Sequence, residues 1–559
     1  MNFSTEENEL IWRNLNLYSG KKHLLQNISG IVGPSSMTAL MGPSGAGKTT
    51  LLNALAGRLP LNMKLSGEIL LNSYPRDQNW PQIMGYVEQE FLSFENQTVF
   101  ETLNFCKLIK NSDLSVDDVI NILGLVKSKN DLISKLSGGE KKRLSMDEPT
   151  SGLDSFNALN ILELLIKLAK IGKTIIVTIH QPSYNQIQYF QRIILLSQGK
   201  MIYEGSFEKC IDFFKECGYN LPRNTNPTDF FLDTISLDTR NDQNMNNCYN
   251  KINYINDVWM SHNINHNPNI TKPLTNKQNI NNKVILPLLI KRNILEYWRK
   301  KTYLKIKILQ KLIFLLIFGL AYLRMNNTVL EIPSRKGSLT FLILNCLFGI
   351  CAPIFNVFPD EKRVIIRERR SGMYSAFTSF LSKYISELPF NLIYEISYLS
   401  CLYWIIGLNS GAGRFFICLI IYASLINFSI IFGLAISSLS PSQNIAQIIG
   451  GTCILFFTIY SGAFGSTNAI PAWLRWMIFI SPVYYAFTAL IQNQFSGVEF
   501  YSNQGSVPGE EFIYANDTFI IGMWWCIFLM WLYTVLWFII GSISLQYSTR
   551  TKIKLEQHN

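Results

Sequence analysis

The sequence predicts an α/β P-loop domain followed by an all-α domain of six transmembrane helices. Three observations carry that prediction. Residues 42–50 read GPSGAGKTT, the phosphate-gripping pattern GxxxxGK[ST] in full. Downstream, LSGGE at 136–140 is followed almost at once by DEPTSGLD at 147–154. From about residue 304, long apolar stretches rich in Ile, Leu, Phe, Tyr and Trp replace the charged-and-apolar mixture of residues 1–240.

The bulk composition agrees. The 559 residues are 48% hydrophobic, 13% aromatic and 16% charged, the profile of a soluble head fused to a membrane domain. The net charge of +11 flanks apolar spans and so sets orientation; nucleic acid is not expected as a partner. Ten cysteines show no zinc spacing, and free reduced thiols are expected. The start, MNFSTEENEL, is acidic and polar, so no cleavable signal is expected and the first apolar span would direct insertion.

In chain order, SMTALM (36–41) reads as the strand entering the Gly-rich loop, and KTTLLNALAG continues at helical spacing. KTIIVTIH (173–180) reads as a buried strand and RIILLSQGKMIYEG (192–205) as a hairpin. The nucleotide-binding domain is thus assigned to 1–240. Residues 241–282 hold 15 asparagines and no sustained period, so 241–287 is assigned as a linker, disordered in part. Residues 288–307 are expected as an amphipathic connecting helix on the membrane surface, anchored by Trp298 and Tyr303.

Six spans follow within 308–548, at 308–325, 338–358, 389–409, 415–438, 444–464 and 519–541, and 549–559 is a tail. Lys362, Arg363, Arg367, Arg369 and Arg370 place the loop after the second span on the cytoplasmic side. Both termini are then cytoplasmic and the 465–518 loop is outside. The sequons at Asn326 and Asn516 fall in outside loops, although Asn27 and Asn96 match the same pattern in the head. No acidic or basic pair is expected deep in the spans, which favours an apolar or amphipathic cargo.

The nucleotide site is read from the motifs. The loop of Gly42, Pro43, Ser44, Gly45, Ala46, Gly47, Lys48, Thr49 and Thr50 would frame the phosphates of ATP with its backbone N–H groups, Pro43, which has none, contributing shape. Lys48 would reach the β/γ-phosphates and Thr49 would ligate Mg²⁺. Gln89, in GYVEQE, would sense Mg²⁺ and the attacking water; Asp147 would hold the Mg²⁺ shell; Glu148 would polarise the water. His180, ending an apolar strand before QPS, is read as a γ-phosphate contact, and Asp154 as a dimer-contacting aspartate. Tyr18 is read equally as an adenine stack or as packing.

The LSGGE box resembles that of ABC-type ATPases, so this first domain is expected to be an α/β P-loop ABC ATPase domain. In such proteins Ser137, Gly138, Gly139 and Glu140 would close over the nucleotide held by a second copy's phosphate loop. RNLNLYSGKKHLLQNISG, HQPS, FPDEKRVIIRERRSGMYS, ELPFNLIYE and IPAWLRWMIFISPVYYAFTALIQNQF resemble patterns of the G (White) subfamily of ABC transporters. The resemblance covers nearly the whole chain outside the Asn-rich stretch. It implies a half-transporter, homo- or heterodimeric, exporting lipids, sterols or amphipathic xenobiotics from a plasma or internal membrane. It further implies a central cavity lined by Asn345 and Phe348 of the second span and Leu455 and Thr458 of the fifth, with Ala463-Phe464 as a valve. Lipid-facing or core packing is the competing reading for each, and the missing outer-loop cysteines imply no disulfide-linked dimer.

One departure stands out. The family places a helix and an apolar strand between LSGGE and DEP, whereas here only Lys141-Lys142-Arg143-Leu144-Ser145-Met146 intervene. A strand alone takes about five residues, so six cannot supply both. Two readings stay open: a block lost from the gene model or by splicing, or a real chain whose crippled ATPase makes it the pseudo-ATPase subunit of a heterodimer.

Overall fold

The computed structural model describes residues 8–77, 80–87, 92–110, 115–145, 155–179, 181–223, 225–237, 242–262, 282–465, 467, 470–502, 505–514 and 521–548. The chain divides into two compact units, one of 1–280 with 370–373 and 550–559, the other of 281–369 with 374–549.

The first unit is built on two sheets. Strands β1 (Leu10–Ser19), β2 (Lys22–Val32), β4 (Met63–Leu71) and the short β5 (Tyr74–Pro75) form an antiparallel sheet in the order β2-β1-β4-β5. The second sheet has the order β6-β3-β7-β8, from β3 (Met37–Met41), β6 (Ile175–Thr178), β7 (Arg192–Ser197) and β8 (Lys200–Gly205). Its first three strands run parallel and β8 turns back antiparallel. Every residue of β3 is buried, as a strand covered on both faces requires. The expected 192–205 hairpin is present; Gln198 and Gly199 both take positive φ at its two-residue turn.

The Asn-rich stretch departs from the linker expected of it. Residues Asp242–Ser261 form a helix packed on this core, with Ile252, Ile255 and Trp259 buried. Asn256 Nδ2 donates to the Met201 carbonyl at 2.6 Å, and Lys200 Nζ donates to Asn253 Oδ1 at 2.8 Å. The apolar residues recur at helical spacing, but the asparagines between them make the stretch as a whole polar enough to resemble a linker.

The second unit is helical. Helices Asn282–Arg299 and Lys301–Ala321 meet at Lys300, so the expected connecting helix of 288–307 is divided there. Of its anchors, Trp298 is 62% exposed, whereas Tyr303 is half-buried against Tyr297. Ile332–Arg370, Ala376–Ile406, Ala412–Leu439, Gln443–Ile459 and Met523–Ser548 follow, so each predicted span overlaps a helix. Among the described residues, three of them are long and apolar enough to cross a membrane by themselves, and Gln443–Ile459 is a shorter apolar helix. The 465–518 segment, expected as a loop, holds an 83° bent pair, Ala472–Ile480 and Pro482–Phe495. Pro482 breaks the apolar run, and Ser481 caps the second helix by accepting from the Tyr484 N–H at 3.2 Å.

The expectation that no acidic or basic pair lies deep in the spans is overturned. Lys311, in the first predicted span, lies 2.7 Å from Glu395 of the third, and Lys307 Nζ donates to Asn391 Oδ1 at 2.6 Å. Pairing removes the charge from the surface, so an apolar exterior and a charged interior coexist on the same helices. All ten cysteines are free, as expected.

Candidate functional site

The phosphate loop grows out of buried β3 and ends on the helix Lys48–Ala56, here α1. Two glycines are required by geometry. A Cβ on Gly42 would lie 2.2 Å from the Leu196 carbonyl oxygen, and Gly47 sits at φ 102 as the residue capping α1. Ala46 is buried and its carbonyl accepts from Gly199 N–H at 3.0 Å, which ties the loop to the β7–β8 turn. Ser44, Gly45 and Thr49 are exposed on the open side, while Pro43 and Thr50 are half-buried. Lys48 is buried and turns its ammonium onto the Gly42 and Pro43 carbonyls at 2.6 and 2.9 Å. A cation held over a loop at a helix N-terminus is a fitting seat for phosphate oxygens. Tyr18 stacks on His23 at a ring separation of 4.1 Å.

The LSGGE segment opens a second helix, α2 (Gly138–Ser145). Ser137 and Glu140 form a reciprocal cap: the Ser137 N–H donates to Glu140 Oε2 at 2.9 Å, and the Glu140 N–H donates to Ser137 Oγ at 3.3 Å. The Ser128 hydroxyl also donates to Glu140, and this bond, followed by those from Ser137, lowers its carboxyl pKa. Ser128 is a partner that the motif alone did not reveal. Ser137 and Gly138 are exposed, and a Cβ on Gly138 would meet open space. Behind α2 a small core of Val99, Ile120, Leu125, Ile133 and Leu136 holds the segment up.

The remaining predicted nucleotide residues, Gln89, Asp147, Glu148, Asp154 and His180, lie outside the described residues. What is described bears on the shortened link. The helix α2 consumes the link through Ser145, leaving Met146 alone before Asp147.

The predicted cargo residues divide by exposure. Phe348, Leu455 and Phe464 are 40%, 57% and 72% exposed, and Asn345 is half-buried. Thr458 is buried, its hydroxyl donating to the Ile454 carbonyl at 2.7 Å, so it offers nothing to the surface. Missed from the sequence was the neighbour of Asn345: Lys311 donates to its Oδ1 and to Glu395 Oε2. The signal was visible as Lys307, Lys311 and Glu395 in otherwise apolar runs.

Comparison with known proteins agrees with both halves. The family described as ABC transporter matches residues 25–148, and two described as ABC-2 type transporter match 286–495 and 180–287. The chain is 33% identical over 537 residues to Protein white of Drosophila melanogaster, spanning 89% of this chain and 77% of that protein. The chain belongs to the G (White) family of ABC transporters. ABC transporter G family member 7 of Arabidopsis thaliana is 31% identical over 88% of this chain and 74% of its own length. The ABC transporter ATP-binding protein/permease wht-3 of Caenorhabditis elegans is 28% identical over 89% of this chain and 86% of its own length. The transporter is therefore an ABC ATPase fused to an ABC-2 membrane domain, a multi-pass integral membrane half-transporter.

Proposed function

We propose that two half-transporters, alike or different, sandwich ATP between their heads and use its binding and hydrolysis to export lipid, sterol or amphipathic cargo. The observation that carries this reading is one unit holding both a phosphate loop and an exposed, capped LSGGE helix. Each supplies half of a nucleotide site, and the exposed Ser137–Gly138 end is free to close over nucleotide held by another copy. Within the site, Lys48 swings from the loop carbonyls to the β/γ-phosphates, and the backbone N–H groups of 44–50 hold the remaining oxygens. Thr49, Gln89 and Asp147 are the residues that would hold Mg²⁺, which neutralises phosphate charge. Glu148 orients and polarises the attacking water, His180 contacts the γ-phosphate and Asp154 meets the opposing head. Closure passes through the 288–303 segment and the 359–372 segment, which the structure makes helical through Arg370 and not the loop expected of it, to the six-span domain, whose Asn345, Phe348, Leu455 and Phe464 face the cargo.

A specific observation favours a second reading. With α2 running to Ser145, Met146 alone links it to Asp147, and no apolar strand fits between them. In this reading the chain is the catalytically impaired subunit of a heterodimer. Sequencing the transcript across Ser137 to Asp147 separates the two. An in-frame block encoding a helix remainder and an apolar strand restores the complete ATPase; an unbroken LSGGEKKRLSMDEP leaves hydrolysis to the partner's site.

A further inference from the structure

The cations that open the membrane unit fall into two sets by the way they point. One set faces inward, and each member has a partner on another helix. Arg292 donates to Glu368 Oε1 at 2.8 Å, and Lys300 Nζ lies 3.1 Å from Glu361 Oε1. Lys307 donates to Asn391 Oδ1 at 2.6 Å, and Lys311 lies 2.7 Å from Glu395 Oε1. Lys291, Lys301 and Lys305 instead face outward and are exposed. Among the described residues, no carboxylate forms an ion pair with any of these three.

The apolar face above them fixes their level. The helix Lys301–Ala321 has 21 residues. At 1.5 Å per residue that is about 31 Å, close to the thickness of a bilayer's hydrocarbon core. Its outward side carries Ile308, Leu312, Leu316 and Leu320, exposed by 45%, 55%, 64% and 66%, so this side meets lipid tails. Lys301 and Lys305 continue the same face at helical spacing toward the N-terminal end, where hydrocarbon gives way to headgroups. Trp298, 62% exposed and backed by Phe390 at a ring separation of 6.3 Å, marks the same level. Lys291 shares the face of Trp298, two helical turns earlier. The ATP-binding head precedes this end in the chain, so the level is that of the cytoplasmic leaflet, where anionic lipids concentrate.

We propose that Lys291, Lys301 and Lys305, with Trp298 between them, are a docking surface for the headgroups of anionic phospholipids in the cytoplasmic leaflet. Each outward ammonium offers three donors and a full charge, and a phosphodiester with a carboxylate beside it supplies the acceptors that the protein withholds. Phosphatidylcholine brings its own cation next to its phosphate and gains less. The inward cations cannot take this part, because the protein's own carboxylates and Asn391 already hold them. The lipid is a resident neighbour of this helix and not cargo, so its binding needs neither ATP nor a working ATPase.

Native mass spectrometry of the full chain in detergent, without nucleotide, reads the binding constant of the first lipid taken up. The probes are dioleoyl phosphatidylserine and dioleoyl phosphatidylcholine, which share their acyl chains and differ in the headgroup. Wild type is expected to bind the serine lipid about fivefold more tightly, the worth of about one lysine–headgroup contact. Lys291→Gln, Lys301→Gln and Lys305→Gln together bring the ratio below about twofold. Changing the same three to Arg keeps the preference, since the charge carries it. Lys301→Gln and Lys305→Gln made singly each lower the ratio in part, and they serve if the triple variant does not fold. Soluble glycerophosphoserine at millimolar concentration is expected to leave the serine lipid in place. Equal binding of the two lipids by wild type, as when a second copy covers this face, overturns the proposal. A preference that every glutamine variant leaves intact overturns it too, because other cations then hold the lipid. Displacement by glycerophosphoserine also overturns it, because the site is then one for a soluble anion.

Discussion

Individual residues show where chemistry is held ready and where burial works against it. Lys48 already bonds the Gly42 and Pro43 carbonyls, so its ammonium has little distance to travel to bound phosphate. Lys48→Ala should weaken ATP binding by about tenfold or more, as loss of a charge-assisted bond implies, checked by titration with a fluorescent ATP analogue. Glu204 is a different case. Burial, only partly offset by Arg192 and the Ile31 N–H, pushes its carboxyl up to about 7. A raised carboxyl binds more protons folded than unfolded, so its contribution is present at low pH and fades as pH rises from about 4.5 to about 7. The size is on the order of 3 kcal/mol. The melting temperature of the head should therefore fall across that window in wild type and stay flatter in Glu204→Gln, by scanning fluorimetry at a series of pH values. Nothing in the sequence pattern marked Glu204, because its burial comes from two sheets meeting around the β7–β8 hairpin.

At the scale of elements, local signals were legible where period and length agreed. Buried β3, the 192–205 hairpin and the helix behind the phosphate loop follow from apolar runs and glycines at required turns. Composition misled where polar neighbours masked a stripe. The helix Asp242–Ser261 buries Trp259 against Tyr203 and Phe213, with ring centroids at 5.1 and 5.6 Å. Trp259→Ala should destabilise the head by about 3–5 kcal/mol, read as a lowered denaturant midpoint. A disordered linker would show no effect. The bent pair ending at Phe495 was hidden for another reason: Pro482 cuts one apolar stretch into two pieces, neither long enough to be recognised alone. In the membrane unit, Arg292 donates to Glu368 at 2.8 Å, with both side chains 6% exposed. Arg292→Met alone should destabilise by about 3–5 kcal/mol, whereas Arg292→Met with Glu368→Leu should recover most of it, in detergent melting curves.

Over the whole molecule, the order of head then membrane domain was readable because each half announces itself by a different period and composition. The charged pair Lys311–Glu395 was not, since pairing between helices far apart in sequence leaves no local pattern. The shortened link is the point on which function turns, because α2 fills it and leaves Met146 alone before Asp147. The central claim is that the half-transporter works by ATP hydrolysis at a site shared between two heads. The most direct test is vanadate-sensitive ATP hydrolysis by the full-length transporter as a dimer in lipid nanodiscs, for wild type and for Glu148→Gln. The account predicts hydrolysis in wild type and its near-complete loss in Glu148→Gln, with ATP binding retained. Equal rates in the two, or no hydrolysis in any dimer that contains this chain, would contradict it.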